Sequence, residues 1–399
     1  MPLEVRTLRP DDQEAAFTLR QQTFGSRSEP FDRVRDTDWY TPLHRRLVAF
    51  DGTDLVAHAA AWDFGQHFGG VALPMAGISG VAVRPDARGR GAASLLVGRL
   101  LADAHEHGDV LSSLYPANSA LYRRHGWEYG GTRTVRTVPS ASLATLARPE
   151  ERLDARPVRV GDPDDLDSVT AVHATAMARA DGTLVRPRSY TARVASGLDG
   201  HESYLFERAG TVVGYVWTTR QSRPGGGLDL RVNELLGTDR QALLNAWRLV
   251  ASWHPFIDDV QAVGSPADPL GWLLDSGPPE LATQVEQWML RLVDVPAALT
   301  RRGYPNAPSG RIALHVHDTS AAWNDGDWVV TFDEGRASVA RGGDGTTRLD
   351  VGTLAALFSG WLPAQDAVRL DLVRGADETT VRLLRAAFGG PTPWMLSFF

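Results

Sequence analysis

The stretch GISGVAVRPDARGRGAASLLVGRLL, Gly77–Leu101, decides how this chain is read. It runs from small and β-branched residues, through a knot of Arg and Gly, into an apolar helical pattern. A strand ending at Val83, a loop carrying Arg88, Gly89, Arg90 and Gly91, and a helix from Ala92 place several free backbone N–H groups at the positive end of a helix. Gly89 and Gly91 let the backbone approach a ligand without Cβ obstruction, Ala92 and Ala93 keep the first turn thin, and Arg88 and Arg90 add positive charge. The pattern predicts an anion cradle, with a pyrophosphate as the expected occupant. It is no Walker loop, which needs a Gly-Lys-Ser/Thr ending, and its glycines do not fit the dinucleotide fingerprint. The plainer alternative is a Gly-rich turn with solvated arginines.

A chain of 399 residues exceeds one core of typical size, so two or three domains are expected. Its 41 Lys and Arg against 48 Asp and Glu give a net charge of −7, without the basic excess of a nucleic-acid binder. There is no cysteine, which excludes a thiolate nucleophile and zinc sites built on Cys. The start, MPLEVRTLRPDDQEAAF, has no apolar signal core, and no run of about 18 apolar residues occurs. The expectation is a soluble, cytoplasmic protein with neither nucleic acid nor membrane as partner.

Self-similarity organises the rest. VRTLRPDDQEAAFTL (Val5–Leu19) returns as VRVGDPDDLDSVTAV (Val158–Val172), with Val, Arg, Pro, Asp and Asp at the same offsets. Each copy reads as a short strand and then a helix with acids at its positive end. A hairpin follows in both: RRLVAFDGTDLVAHAAAWDF (Arg45–Phe64) turns at Asp-Gly and SYLFERAGTVVGYVWTTR (Ser203–Arg220) at Ala-Gly. The copies then part, because LRVNELLGTDRQALLNAWRLV (Leu230–Val250) has a single Gly and no basic cluster. The second copy is expected to keep the fold and lose the ligand. A linker-like segment at Ser140–Arg156 and the Gly-Pro-Pro of Gly277–Pro279 divide the chain into domains 1–140, 157–283 and 284–399. The last holds alternating stretches such as GRIALHVHD (Gly310–Asp318) and helical ones such as DETTVRLLRAAFG (Asp377–Gly389), an α+β composition.

RGRGAA (Arg88–Ala93) resembles the R/Q-x-x-G-x-G/A signature of the GNAT superfamily of N-acetyltransferases, whose loop holds the pyrophosphate of acetyl-CoA. NSALYRRHGWEYG (Asn118–Gly130) is similar to that superfamily's later motif, with Tyr122 as its Tyr and Trp127 as the aromatic after the Gly. A GNAT domain, a degenerate second one and a C-terminal α+β domain like sterol carrier proteins together resemble the Eis (enhanced intracellular survival) acetyltransferase family, over essentially the whole chain. The ending PWMLSFF (Pro393–Phe399) fits, since chains of that family end in an aromatic residue whose carboxylate enters the first domain's site.

The resemblance implies a fold of class α+β, with tandem GNAT folds before a sterol-carrier-like domain. It implies acetyl-CoA as cosubstrate, held by Val81, Val83 and residues 88–93, and a small-molecule primary amine as acceptor, attacking directly in a ternary complex. Some members of that family take aminoglycosides, so aminoglycosides acetylated several times are one class of acceptor the resemblance implies. It also implies a homo-oligomer, often a hexamer. Tyr122 becomes the general acid for the CoA sulfur, its ordinary pKa near 10 suiting a group that gives up its proton only to a developing thiolate. The Phe399 carboxylate becomes the base or an electrostatic orienter, buried against Phe398 and Trp394. Nine closing residues, PTPWMLSFF, with three aromatics and no charged side chain, argue for docking over fraying.

The acceptor pocket is expected from the early segment QQTFGSRSEPFDRVRDTDWY (Gln21–Tyr40), with Phe24, Phe31 and Trp39 as walls and Phe398 beside the terminus. Family members that take polycations are expected to have an acid just before the terminal aromatic, and Phe398 here points to a smaller or more apolar amine. Asp32, Asp36 and Asp38 could still supply charge. His315 and His317 share one strand face without further ligands nearby in sequence, so no metal is assigned, and HEH at His105–His107 reads as a helix end. A contrasting reading is a non-catalytic protein binding an apolar ligand in its C-terminal domain, with a vestigial acetyl-CoA site.

Overall fold

The repeated VR…PDD signature folds the same way twice. In the first copy the strand Glu4–Thr7 leads into the helix Gln13–Phe24, and Arg6 forks onto the Asp12 carboxylate at 2.6 and 3.0 Å. In the second, Arg159 stands where Arg6 does and reaches Asp165, the match of Asp12, at 2.9 Å, while Arg156 adds a bond at 2.7 Å. The shared Asp therefore ties the incoming strand to the start of the helix, where a negative charge also suits the dipole. The structure is a computed structural model describing residues 3–25, residue 31, and residues 42–159, 161–196, 202–223, 226–275 and 282–399.

The first unit holds β1 (Glu4–Thr7), α1 (Gln13–Phe24), β2 (Arg46–Asp51), β3 (Asp54–Phe68), β4 (Val71–Val83), α2 (Ala92–His107), β5 (Leu111–Leu114), α3 (Ser119–Arg123) and β6 (Glu128–Pro139). The second holds β7 (Asp154–Pro157), α4 (Pro163–Met177), β8 (Leu184–Val185), α5 (Arg188–Ser196), β9 (Ser203–Arg208), β10 (Thr211–Ser222), β11 (Leu228–Gly237), α6 (Arg240–Ala251) and β12 (Asp259–Gly264). The order strand, helix, hairpin, strand, helix, strand recurs. Both hairpins form as expected, β2 with β3 and β9 with β10, each antiparallel.

One sheet of 13 strands spans both units, because they exchange their last strands. β6 leaves the first unit's edge and pairs with β12 through Thr134–Pro139. β13 (Ala282–Leu292) returns from the second unit and lies antiparallel between β5 and β6. This corrects the expectation that a third domain opens at Gln284, since β13 is an interior strand of the large sheet. Trp288, Met289, Leu290 and Leu292 on it are fully buried, as a strand covered on both faces requires. Gly130 and Gly131 on β6 make room for the Trp288 ring, which a Cβ at either would meet at 2.6 or 2.4 Å.

After β13 a second sheet follows, made of β14 (Gly310–His317), β15 (Gly326–Asp333), β16 (Arg336–Arg341), β17 (Thr347–Asp350) and β18 (Val373–Arg374) in the order β16-β15-β14-β17-β18. The apolar helix Val351–Ser359 is buried along almost its whole length and packs on both β13 and β6. The fold is thus two GNAT folds, the second degenerate, followed by a sterol-carrier-like α+β domain. No helix among the described residues is long and apolar enough to cross a membrane.

Candidate active site

The site begins where two strands part. β4 and β5 run parallel but pair only through Met75–Gly77 against Leu111–Ser113. β5 ends at Leu114, and Pro116 soon after has no N–H for a ladder, while β4 runs on to Val83. Beyond Gly77 the β5-facing edge of β4 therefore has no strand partner. The opening holds a cavity of about 950 Å³ whose walls include Ile78, Ser79, Gly80 and Val81 of β4 and Tyr115 and Tyr122 opposite. Val81 lies on this wall, whereas Val83 is half-buried against the α2 core.

At the far end of β4 the Arg-Gly knot makes the start of α2. Gly91 is its N-cap in the left-handed region, at φ +84°, and no side chain caps the helix. Gly89 has φ +79°, and a Cβ at either glycine would meet nothing within 4 Å. The backbone conformation itself, not crowding within the protein, calls for glycine here. No side chain accepts from the first-turn N–H groups of α2. The arginines behave differently from each other: Arg90 is held by Asp51 at 2.5 Å, away from the role of a simple added charge, and Arg88 is exposed. Ala92 is buried and Ala93 half-buried at the first turn.

The second copy shows how such a cradle is closed. The N-cap of α6 is Asp239, whose carboxylate accepts from the Ala242 N–H at 2.9 Å and pairs with Arg208 at 2.7 Å. The chain's own anion sits where a ligand's would. Gly237, the one glycine there, is tight against α6, a Cβ meeting the Leu243 nitrogen at 2.8 Å.

Tyr122 projects from the short helix α3, whose N-cap Asn118 accepts from Leu121 N–H at 3.4 Å. Its ring is buried, edge-on to Trp127 at 6.4 Å, and burial pushes the phenol up to about 12. At neutral pH it therefore keeps its proton more firmly than a free tyrosine.

The chain terminus reaches the same cavity. Met395 N–H donates to Thr132 O at 2.9 Å and Thr132 N–H to Pro393 O at 3.2 Å, fastening the tail beside β6. Arg186 donates to the Ser397 hydroxyl at 2.8 Å, Tyr115 to Ser397 O at 2.8 Å, and Tyr190 to Phe398 O at 2.8 Å. The Phe399 ring packs on Phe64 at 5.0 Å and Tyr115 at 5.8 Å. Gly77 permits this, since a Cβ there would lie 3.0 Å from the Phe399 ring. Trp394 was expected beside the terminus and instead packs with Leu396 in the second unit's core, while Phe398 is 57% exposed.

Of the expected acceptor residues, Phe24 and Phe398 line the cavity. Phe31 does not: its ring lies 5.6 Å from that of Phe17, which does. Trp39 and the acids Asp32, Asp36 and Asp38 lie outside the described residues. Sequence reasoning missed Phe17, Arg20, Tyr115, Arg193, Glu286 and Gln287. Glu286 is the only carboxylate side chain among the described lining residues, and Arg133 holds it at 2.8 Å. His315 and His317 pair separately with Asp327 and Asp325 on the exposed face of β14, and no group of three metal-ligating side chains occurs among the described residues.

Comparison with known proteins agrees with this architecture. Acetyltransferase (GNAT) domains match residues 4–130 and 182–292, and a sterol carrier protein domain matches 295–396. An uncharacterized N-acetyltransferase of Streptomyces griseus is 30% identical over 436 aligned positions, covering 100% of both chains. N-acetyltransferase Eis of Mycobacterium tuberculosis is 25% identical, covering 97% of both. The crystal structure of a GCN5-related N-acetyltransferase from Anabaena variabilis superposes with a TM-score of 0.91 at 26% identity over 100% of both chains.

Proposed function

The chain belongs to the Eis family of GNAT N-acetyltransferases, and from that premise we propose that it moves the acetyl group of acetyl-CoA to a primary amine with an apolar or aromatic body. The observation that carries this reading is convergence. An unpaired strand edge, Tyr122 and the chain terminus meet around one cavity, and the same strand, β4, leads on from its wall to the uncapped start of α2.

Acetyl-CoA supplies an acyl group already activated as a thioester. The residues present fit it: the first turn of α2 offers N–H groups to the pyrophosphate, with Arg88 nearby, and the open edge of β4 at Val81 offers backbone groups to the pantetheine arm. Tyr122 holds a proton for the departing sulfur, and its raised pKa keeps that proton in place until a thiolate needs it. The Phe399 carboxylate faces a protonated amine at the other side. A free α-carboxylate has a pKa of roughly 3.5, so its first role is to orient the ammonium, and it can pass the proton on to water. Attack is direct, in a ternary complex, as the family resemblance implies, and it needs no cysteine, of which the chain has none.

The described lining bears on the acceptor. Phe17, Phe24, Tyr115, Phe398 and Phe399 give it aromatic walls, and its charged side chains are Arg20, Arg193 and the Arg-paired Glu286. These aromatic walls suit an apolar or aromatic body better than a polycation such as an aminoglycoside. A homohexamer in the cytoplasm belongs to the same reading and comes from the family resemblance. Acetyl-CoA-dependent thiol release over a panel of aromatic, aliphatic, polyamine and aminoglycoside amines tests it. Turnover on aromatic or apolar amines is expected, and turnover on aminoglycosides alone would reverse the acceptor assignment.

A further inference from the structure

His58 is fully buried on β3, one strand away from the cavity, and sequence reasoning passes over it as one polar residue in the run LVAHAAAW. Its neighbours explain why it is there. His58 pairs with Ala82 and Ala60 pairs with Ser79, so Gly80 and Val81 together oppose Ala59 alone. This is a β-bulge, and Gly80 carries it at φ +60°. The two bulged residues are both on the cavity wall. A bulge needs something to hold it, because the extra residue has left the ladder.

The imidazole provides the hold. His58 Nδ1 lies 3.0 Å from Gly80 O. A carbonyl oxygen only accepts, so Nδ1 must carry the proton, which fixes the tautomer. Burial, with Arg20 of α1 and Arg46 of β2 facing the ring, drives the imidazole down to about 3, so it stays neutral. Nε2 makes no hydrogen bond. A Cβ at Gly80 would lie 2.9 Å from Arg20 Nε, so the bulge is boxed in from the cavity side as well.

We propose that His58 is a positioning residue for acetyl transfer, donating Nδ1–H to Gly80 O and thereby holding the β4 bulge that sets Gly80 and Val81 against the reacting groups. The inference rests on the acetyl-transfer reading of the cavity. His58 touches no substrate and moves no proton. Its effect falls on the geometry of the strand wall, so it belongs to kcat rather than to capture of acetyl-CoA at α2.

Three variants separate this from a plain core role. H58N keeps an N–H near the Nδ1 position, H58Q carries it out to the Nε2 position, and H58L removes it. Expected is a kcat for H58N within about threefold of the wild type, and a fall of about tenfold or more for H58Q and H58L, with acetyl-CoA Kd nearly unchanged in all three. Wild-type kcat in H58Q and H58L, or an H58N as slow as H58L, overturns the proposal. In the wild type, 15N NMR of the imidazole should show the Nδ1–H tautomer, and an Nε2–H tautomer overturns it even where no variant folds. A wild-type protein that neither binds nor turns over acetyl-CoA defeats the acetyl-transfer reading and with it the catalytic role, whatever the tautomer.

Discussion

The Tyr115 hydroxyl donates to the carbonyl oxygen of Ser397 at 2.8 Å, joining the end of a central strand to the end of the chain. Tyr190, from the second unit, does the same for Phe398 at 2.8 Å. Both phenols are withdrawn from water, and each such bond is worth about 1 kcal/mol net. Two units thus hold the last residues of a third. The terminus becomes a fixed wall of the cavity and not a loose end.

Replacing Tyr122 with Phe should remove the proton donor and keep the ring. The expected loss in kcat is about 10²-fold, with acetyl-CoA affinity and melting temperature near the wild-type values. Since burial raises its pKa to about 12, ionisation of Tyr122 should cause no fall in wild-type kcat between pH 7 and 10. Steady-state kinetics over that range, on both proteins, check both statements.

The two helix starts make opposite predictions. G91V forces a β-branched residue to φ +84° at the open N-terminus of α2 and should raise acetyl-CoA KM about tenfold or more. D239A removes the self-made cap of α6 and should cost about 1 kcal/mol of stability without changing acetyl-CoA KM. Urea melts and KM measured on the same samples distinguish them.

The paired signatures give a pH dependence. Hydrogen bonds from Arg156 and Arg159 hold Asp165 well below the usual carboxylate range against the opposing effect of burial, and Arg6 lowers Asp12. A depressed folded-state pKa stabilises above the unfolded value of roughly 3.9, and that contribution drains away as pH falls through it toward the folded pKa. The contribution of these two carboxylates should therefore be level from pH 7 to about 5 and decline below about 4, in addition to the stability that buried, neutral His58 gives up as pH falls below the unfolded imidazole value of roughly 6.5. D165N should cost about 2–3 kcal/mol at pH 7 and less at pH 3, when the wild-type carboxylate is itself losing charge. Denaturant melts at the two pH values give the answer.

What was legible in the sequence was what is local. RGRGAA announced an open helix start because glycine, strand and helix signals are adjacent, and the repeat announced two similar units because Arg6–Asp12 and Arg159–Asp165 lie within a few residues of each other. Strand exchange was not legible. β13 pairs with β5 and β6 across more than 140 residues, and an apolar run carries no sign of which strand it will meet. The expected third-domain boundary failed for that reason. The acceptor wall was half read: Phe24 and the terminus follow from the first unit and the chain end, while Arg193 and Glu286 arrive from elements far along the chain. Trp394 was expected against the terminal carboxylate because it stands near the end, yet the tail's bonds to Thr132 turn it into the second unit's core. His58 carried no signal at all beyond being polar among alanines.

The most direct test of the central claim, that the chain's own terminus completes an acetyltransferase site, is to append one residue after Phe399. Acetyl-CoA-dependent thiol release and acetyl-CoA binding would be measured on the native and extended proteins with the best amine of the panel. The account predicts that the extended protein binds acetyl-CoA as tightly as the native one and loses turnover, because the added peptide bond removes the carboxylate from the residue whose ring packs on Phe64 and Tyr115. Full turnover in the extended protein would contradict it.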